Sequence, residues 1–196
     1  MIKAILFDLD GVLVDAVYLH QKAFIEAIRP YKEITGEYHM QHLNGLPTRK
    51  KLEKLGFTTD LIEEINAKKQ EITFDLISTT IKPIQKVNDI INEIKKRDLK
   101  FAVCSNSIRK TIELFLEAAK IEGYEFIISN QEVINPKPNP EMYLKAIKRI
   151  GLEKSEVLIV EDSPVGLEAA NKTGAKVCQI NNPNDIGKVI SFLDNF

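Results

Sequence analysis

ILFDLDGVLVD, residues 5–15, runs from large apolar side chains straight into three carboxylates, Asp8, Asp10 and Asp15, with Gly11 among them. A short run of β-branched, aromatic and aliphatic residues reads as a buried strand. Acids crowded at the end of such a strand repel one another and raise the cost of ionising each. Carboxylates kept there hold a cation or do chemistry.

Further along the chain the same signature recurs. KAILFD (3–8), KFAVCS (100–105), EVLIVED (156–162) and AKVCQI (175–180) read as buried strands, and YEFIIS (124–129) as a weaker fifth. Helical spacing fills the intervals. IQKVNDIINEIKKRD places Val87, Ile90, Ile91 and Ile94 on one side, with Lys95, Lys96 and Arg97 near its end. RKTIELFLEAAK and PEMYLKAIKRIG repeat the pattern. In the latter Asn139 is read as the N-cap, Pro140 takes the first turn and Gly151 ends the helix. Strand alternating with helix predicts an α/β, doubly wound (Rossmann-like), mostly parallel sheet.

Residues 16–82 break that rhythm. They hold three helical patterns and no convincing strand: YLHQKAFIEAI, TRKKLEKLG and DLIEEINAKKQEITFDLI. The last sets Leu61, Ile65, Ile72 and Leu76 along one side. Linkers around 12–16 and 78–85 join this block to the rest. The expectation is a core of residues 1–15 and 83–196 with a small all-helical cap domain, 16–82, inserted after the first strand.

Composition narrows the function. Lysine and arginine number 27 against 28 acids, a formal charge of −1, so there is no basic excess of the kind that nucleic-acid or membrane-surface binding needs. Cys104 and Cys178 sit inside apolar runs and read as small buried hydrophobes in a reducing compartment. MIKAILFDLD carries acids where a signal peptide would stay apolar, and no apolar run is long enough to span a bilayer. The expected location is cytoplasmic.

Each strand ends in groups suited to phosphate or metal: Asp8 and Asp10 after the first, Ser105 and Asn106 after the second, Glu161 and Asp162 after the fourth. In open parallel sheets the carboxyl ends of strands line the ligand crevice, so these groups should converge. A helix after Ser105 would aim free N–H groups at an anion. Lys137, in NPKPNP, is stiffened by Pro136, Pro138 and Pro140 near the same edge. Converging carboxylates and other oxygen ligands favour Mg²⁺. Ser105 and Lys137 suit phosphate oxygens. One carboxylate can then attack phosphorus, while Asp10 has the chemistry and the reach to protonate the leaving oxygen and later to deprotonate water. Alone, each feature is a turn, a cap or a surface charge; in order, each at the end of a predicted strand or in the adjoining loop, they read as an active site.

DLDGVLVD, VCSNS, NPKPNP and VEDSPVGLEAANKTGA together resemble the four ordered motifs of the haloacid dehalogenase superfamily, across essentially the whole chain. More narrowly, the sequence is similar to the helical-cap subgroup of phosphatases and β-phosphoglucomutase-like enzymes. That resemblance implies Asp8 as nucleophile and Asp10 as general acid and base. It also implies that Ser105 and Lys137 position the phosphoryl group, with Asn106 beside them. Asp8, the Asp10 carbonyl, Glu161 and Asp162 would surround Mg²⁺, and Gly11 would let the chain turn into the cap. Aspartate at position 10 disfavours the superfamily's dehalogenases, which lack this acid.

In the cap, the resemblance gives His20 a place near the site and Asp15 a role at the hinge. LNGLPTRKKLEKL resembles the cap loop of β-phosphoglucomutase-like enzymes, which would make Gly45 a flexible approach point and Arg49 a substrate contact. An ordinary interface histidine and a solvated arginine are competing readings. Lys69 matches a cap lysine of the group, with Lys68 an equal competitor on spacing. His39 and His42 are read as surface residues.

The expected activity is Mg²⁺-dependent hydrolysis of a small phosphorylated metabolite through an aspartyl-phosphate. A sugar phosphomutase needs the same core chemistry, although SNS in the second motif looks more like the phosphatases. A receiver-like signalling module would carry its acceptor on a later strand and no cap-sized insertion. The substrate and the oligomeric state are open at this level.

Overall fold

The computed structural model describes residues 1–44 and 46–195. The chain divides into two compact units. Met1–Asp15 and the chain from Lys82 onward form the first, and Ala16–Ile81 the second.

The first unit is built on five parallel strands: β1 (Ala4–Phe7), β2 (Lys100–Cys104), β3 (Ile127–Ile128), β4 (Val157–Glu161) and β5 (Lys176–Gln179), in the spatial order β3-β2-β1-β4-β5. The central strand is apolar throughout because it is covered on both faces; all four of its residues are buried. Its register sets Leu6 against Ala102 and Ile159. Ala4, Leu6, Ala102, Cys104, Ile128, Val157 and Ile159 share one face, packed on Met142, Tyr143, Ala146 and Ile147 of α7 (Glu141–Ile150) and on Ala169 and Ala170 of α8 (Pro164–Thr173). The alternation of strand side chains sends Phe7 and Phe101 to the other face, where their rings meet edge to face at 6.1 Å. The connections carry α5 (Gln85–Lys96) and α6 (Arg109–Ala118), and α9 (Lys188–Leu193) follows β5.

Three details depart from the sequence reading. The YEFIIS segment contributes only the two-residue β3. At the opposite edge β5 buries Cys178 alone, since an edge strand has one neighbour. Pro140, not Asn139, is the N-cap of α7, but the Asn139 side chain still accepts the Glu141 N–H at 3.0 Å. Gly151 ends the helix with φ +74°, as Gly at that position does.

The second unit consists of α1 (Val17–Ile28), α2 (Gly36–His42), α3 (Thr48–Lys54) and α4 (Thr59–Thr80). Phe24, Ala27, Ile28, Leu43, Leu52, Leu55, Ile62 and Ile65 form its core. These helices differ from the sequence reading at four points. The buried stripe of α4 is Ile62, Ile65, Lys69, Thr73 and Ile77, flanked by half-buried Leu61, Ile72 and Leu76; the helix also runs into the segment read as a linker from 78. α2 lies outside the three helical patterns seen in the sequence, and its inward residue is His39, 1% exposed rather than on the surface. His42 is exposed, against the Tyr38 ring. Among the described residues no helix is long and apolar enough to cross a membrane.

Candidate active site

Three strand ends of the first unit build one site. The Asp8 N–H donates to Val160 O at 3.0 Å and the Ser105 N–H to Ile128 O at 3.0 Å, so the sheet ladder fixes the backbone one residue past β1 and β2. β4 ends on Glu161, with Asp162 next. Asp8, Glu161 and Asp162 each bring a carboxylate oxygen, all within 4.8 Å of one another.

Lys137 enters from the loop before α7. The Asn106 side chain grips its backbone from both sides, Oδ1 accepting the Lys137 N–H at 3.1 Å and Nδ2 donating to Lys137 O at 3.3 Å. The lysine is 4% exposed. Its ammonium donates to Asp8 Oδ1 at 2.6 Å, Glu161 Oε1 at 2.7 Å, Tyr143 Oη at 2.8 Å and Cys104 O at 2.9 Å. Burial alone would pull this lysine down, but Asp8 and Glu161 hold it above its ordinary range, and it stays charged. Burial pushes Asp8 well up; Lys137 opposes the shift, and Glu161, Asp10 and Asp162 add to it. Asp162 rises to about 7, first by burial and then through Glu161.

The remaining predicted groups fall around this centre. Asp10 Oδ2 accepts from the Ser107 hydroxyl at 3.4 Å. Ser105 is buried, and its Oγ accepts the Ser107 N–H at 3.1 Å. The helix read at RKTIELFLEAAK begins at Arg109, so its N-terminus lies a short loop beyond the strand end. Asn106 stands here as the clamp on Lys137.

Glycine makes the crowding possible at two positions. Gly11 has φ +88°, and a Cβ there would overlap the Asp162 carboxylate; one at Gly166 would overlap that of Glu161. Glu161 is held on both sides. Tyr143 and Lys137 donate to Oε1, while the N–H groups of Asp162 and Ser163 and the Ser163 hydroxyl donate to Oε2 at 3.2–3.4 Å. Tyr143, Gly166 and Ser163 escaped the sequence reading. Tyr143 lies on the apolar stripe of an amphipathic helix, where periodicity reports burial and says nothing about the hydroxyl.

The donor set fits a hard divalent cation. It is made of carboxylate oxygens, and among the described residues Asp162 Oδ1 is buried without a hydrogen-bond partner, an unpaired acceptor that an ion would satisfy.

In the helical unit, His20 Nδ1 lies 3.3 Å from Lys69 Nζ. Of the two candidate lysines, Lys69 turns inward at 7% exposure, while Lys68 is exposed and pairs with Glu71 at 3.0 Å. Arg49 pairs with Glu63 and, at 4.0 Å, with Glu53. Gly45 lies outside the described residues. A second buried pair was not foreseen: Lys51 Nζ and His39 Nε2 are 3.1 Å apart, against the Phe24 ring.

A parallel sheet carrying acids, a hydroxyl and a clamped lysine at its carboxyl edge defines a class of phosphoryl-handling α/β proteins. The family model described as haloacid dehalogenase-like hydrolase matches residues 5–180. The chain belongs to the haloacid dehalogenase-like hydrolases, a superfamily with phosphatase and phosphoglucomutase-like members. It is 27% identical over 177 residues to the phosphorylated carbohydrates phosphatase of Thermotoga maritima, covering 88% of this chain and 82% of the relative. Its fold is similar to that of CbbY from Rhodobacter sphaeroides, solved in complex with phosphate, with a TM-score of 0.82, 25% identity, and 91% and 86% of the two chains covered. It is also similar to β-phosphoglucomutase from Clostridium difficile, with a TM-score of 0.79, 25% identity, and 96% and 88% covered.

Proposed function

We propose that this hydrolase is a Mg²⁺-dependent phosphatase of small phosphorylated metabolites, with Asp8 as nucleophile and Asp10 as general acid and base. The observation that carries the reading is the Lys137 ammonium between Asp8 and Glu161, at 2.6 and 2.7 Å, on the edge where the strand ends meet. A fixed positive charge beside a carboxylate is what displacement at phosphorus needs, since charge on the transferring oxygens must be offset.

In this reading Asp8 attacks phosphorus while Asp10 gives a proton to the leaving alcohol. The acylphosphate at Asp8 is then hydrolysed by water that Asp10 deprotonates. Lys137 donates to the phosphoryl oxygens, and the Ser105 hydroxyl is placed to do the same. Asp8 and Asp162, with the Asp10 carbonyl and Glu161 beside them, would hold Mg²⁺, which when bound supplies charge neutralisation for the acids and the phosphoryl group. Action on a sugar phosphate fits this reading and the name of the Thermotoga maritima relative, and the location we infer is the cytoplasm.

The deciding test is Mg²⁺-dependent phosphate release from a panel of phosphorylated metabolites by the wild-type protein and by Asp8→Asn. The variant should keep its far-UV circular dichroism and lose turnover by at least about 10²-fold. Near-normal release by Asp8→Asn would remove the nucleophile assignment. The likeness to β-phosphoglucomutase supports a second reading, phosphoryl return to another hydroxyl. Feeding a hexose 1-phosphate separates them: free phosphate marks the phosphatase, hexose 6-phosphate the mutase.

A further inference from the structure

Tyr143 is fully buried on α7, with its hydroxyl inserted between the two charged groups that hold the centre of the site together. It accepts from Lys137 Nζ at 2.8 Å and donates its single hydrogen to Glu161 Oε1 at 2.6 Å. The lysine also lies 4.6 Å from the centre of its ring. Phenylalanine would fill the same space without burying a hydroxyl, whose desolvation needs compensating bonds. Here both bonds go to charged groups.

Donor arithmetic shows what the hydroxyl does. An ammonium has three hydrogens, yet Lys137 Nζ faces four acceptors: Asp8 Oδ1, Glu161 Oε1, Tyr143 Oη and Cys104 O. A phosphoryl oxygen gaining charge at Asp8 during transfer would be a fifth. For Lys137 to donate to it, at least one bond must be released. Releasing Glu161 would strip a buried carboxylate of a donor, unless another remains on the same oxygen. Tyr143 is that other donor, already placed on Oε1.

We propose that Tyr143 is a positioning residue for phosphoryl transfer. Its hydroxyl keeps Glu161 satisfied and in place, so that the Lys137 ammonium can turn toward the transferring phosphoryl oxygens as their charge develops. The inference rests on the roles of Asp8 and Lys137 proposed above. Because the lysine's shift belongs to the reacting state, loss of the hydroxyl acts on kcat and leaves ground-state binding intact.

The test is Tyr143→Phe in the whole protein. Phosphate release from a phosphomonoester that the wild type turns over is measured alongside inhibition by orthovanadate, a mimic of the five-coordinate transition state, and by inorganic phosphate. Kcat is expected to fall about 10- to 100-fold, the range for partners that orient a reacting group. KM and phosphate inhibition should stay within about threefold, and vanadate should weaken by about the same factor as kcat. An unchanged kcat, a loss confined to KM, or vanadate and phosphate weakened alike would overturn the inference while leaving the phosphatase reading in place. Loss of the fold in Tyr143→Phe would also overturn it, because the two bonds would then serve stability. A wild type that neither hydrolyses any phosphomonoester nor binds vanadate would sink the phosphatase reading, and this inference with it.

Discussion

Replacing Lys51 by methionine should make the helical unit more stable at neutral pH, although the change removes a hydrogen bond. Lys51 is 8% exposed, and its partner His39 is itself a base. Burial, and then the charge of Lys69, lowers the Lys51 ammonium from 10.5 to about 8. At about 1.4 kcal/mol for each tenfold change, holding the protonated form inside amounts to on the order of 3 kcal/mol below pH 8. Against this stand a cation–π contact with Phe24, roughly 0.5–1 kcal/mol, and the bond to His39, whose loss leaves Nε2 buried and unpaired at a cost of about 1–2 kcal/mol. The net expectation for Lys51→Met at pH 7 is a gain of up to about 1.5 kcal/mol.

The sign with pH follows from proton counting. Between pH 8 and 10.5 the unfolded chain binds the Lys51 proton and the folded chain has released it, so wild-type stability rises with pH across that window. The variant lacks this rise. The protein has no tryptophan, so urea unfolding followed by far-UV circular dichroism at pH 7.5 and 10.5 is the suitable assay. The tyrosines and cysteines titrate in both proteins and cancel in the difference. A stability difference that is the same at both pH values, or a variant less stable than wild type by more than about 1 kcal/mol at pH 7.5, would refute the reasoning.

His39 is lowered to about 4 by burial first, then by Lys51 and His20, so stability should fall as pH drops from 6.5 through 4; an acid unfolding series checks this. Gly166→Ala drives a methyl group into the Glu161 carboxylate and should lower kcat by at least about tenfold while reducing stability by about 1–3 kcal/mol, read by steady-state kinetics and urea melts. Cys104 is buried and pushed up to about 12, first by burial, and Cys178 is also raised, so neither thiol should react with a disulfide reagent at pH 8 until denaturant is added. Calorimetry with inorganic phosphate should show binding in Mg²⁺ and none in EDTA; equal heats in both would oppose the metal assignment.

What the sequence makes legible is whatever burial and strand ends encode. Strands β1, β2 and β4 are buried on both faces or nearly so, and such segments show as unbroken apolar runs. Their ends show as acids and hydroxyls that no buried strand would otherwise keep. The helical unit is less legible because its inward positions include polar residues. Lys69 and Thr73 occupy the buried stripe of α4, shifting its apparent phase, and α2 turns only His39 inward. Tyr143 is hidden for the opposite reason, since it looks apolar. Neither pattern records which polar atom meets which, and that is the information carried by the contacts of Lys51 and Tyr143.

The contacts of Lys137 explain why the acids at the sheet edge require more than a lysine. Lys137 is buried, charged and in contact with both Asp8 and Glu161, which is as much as a single ammonium can do for them. Asp8 is nevertheless pushed well up, and Asp162 to about 7. Holding all four carboxylates ionised with one internal cation would leave a strongly negative rim, and a phosphomonoester dianion brought there would be repelled. Glu161 is already occupied on both oxygens, so the capacity to bind another cation rests with Asp8 and the unpartnered Asp162 Oδ1. The same deficit of positive charge that makes the metal-free site unfavourable to anions makes it favourable to a divalent ion, and phosphate affinity should therefore follow Mg²⁺ affinity.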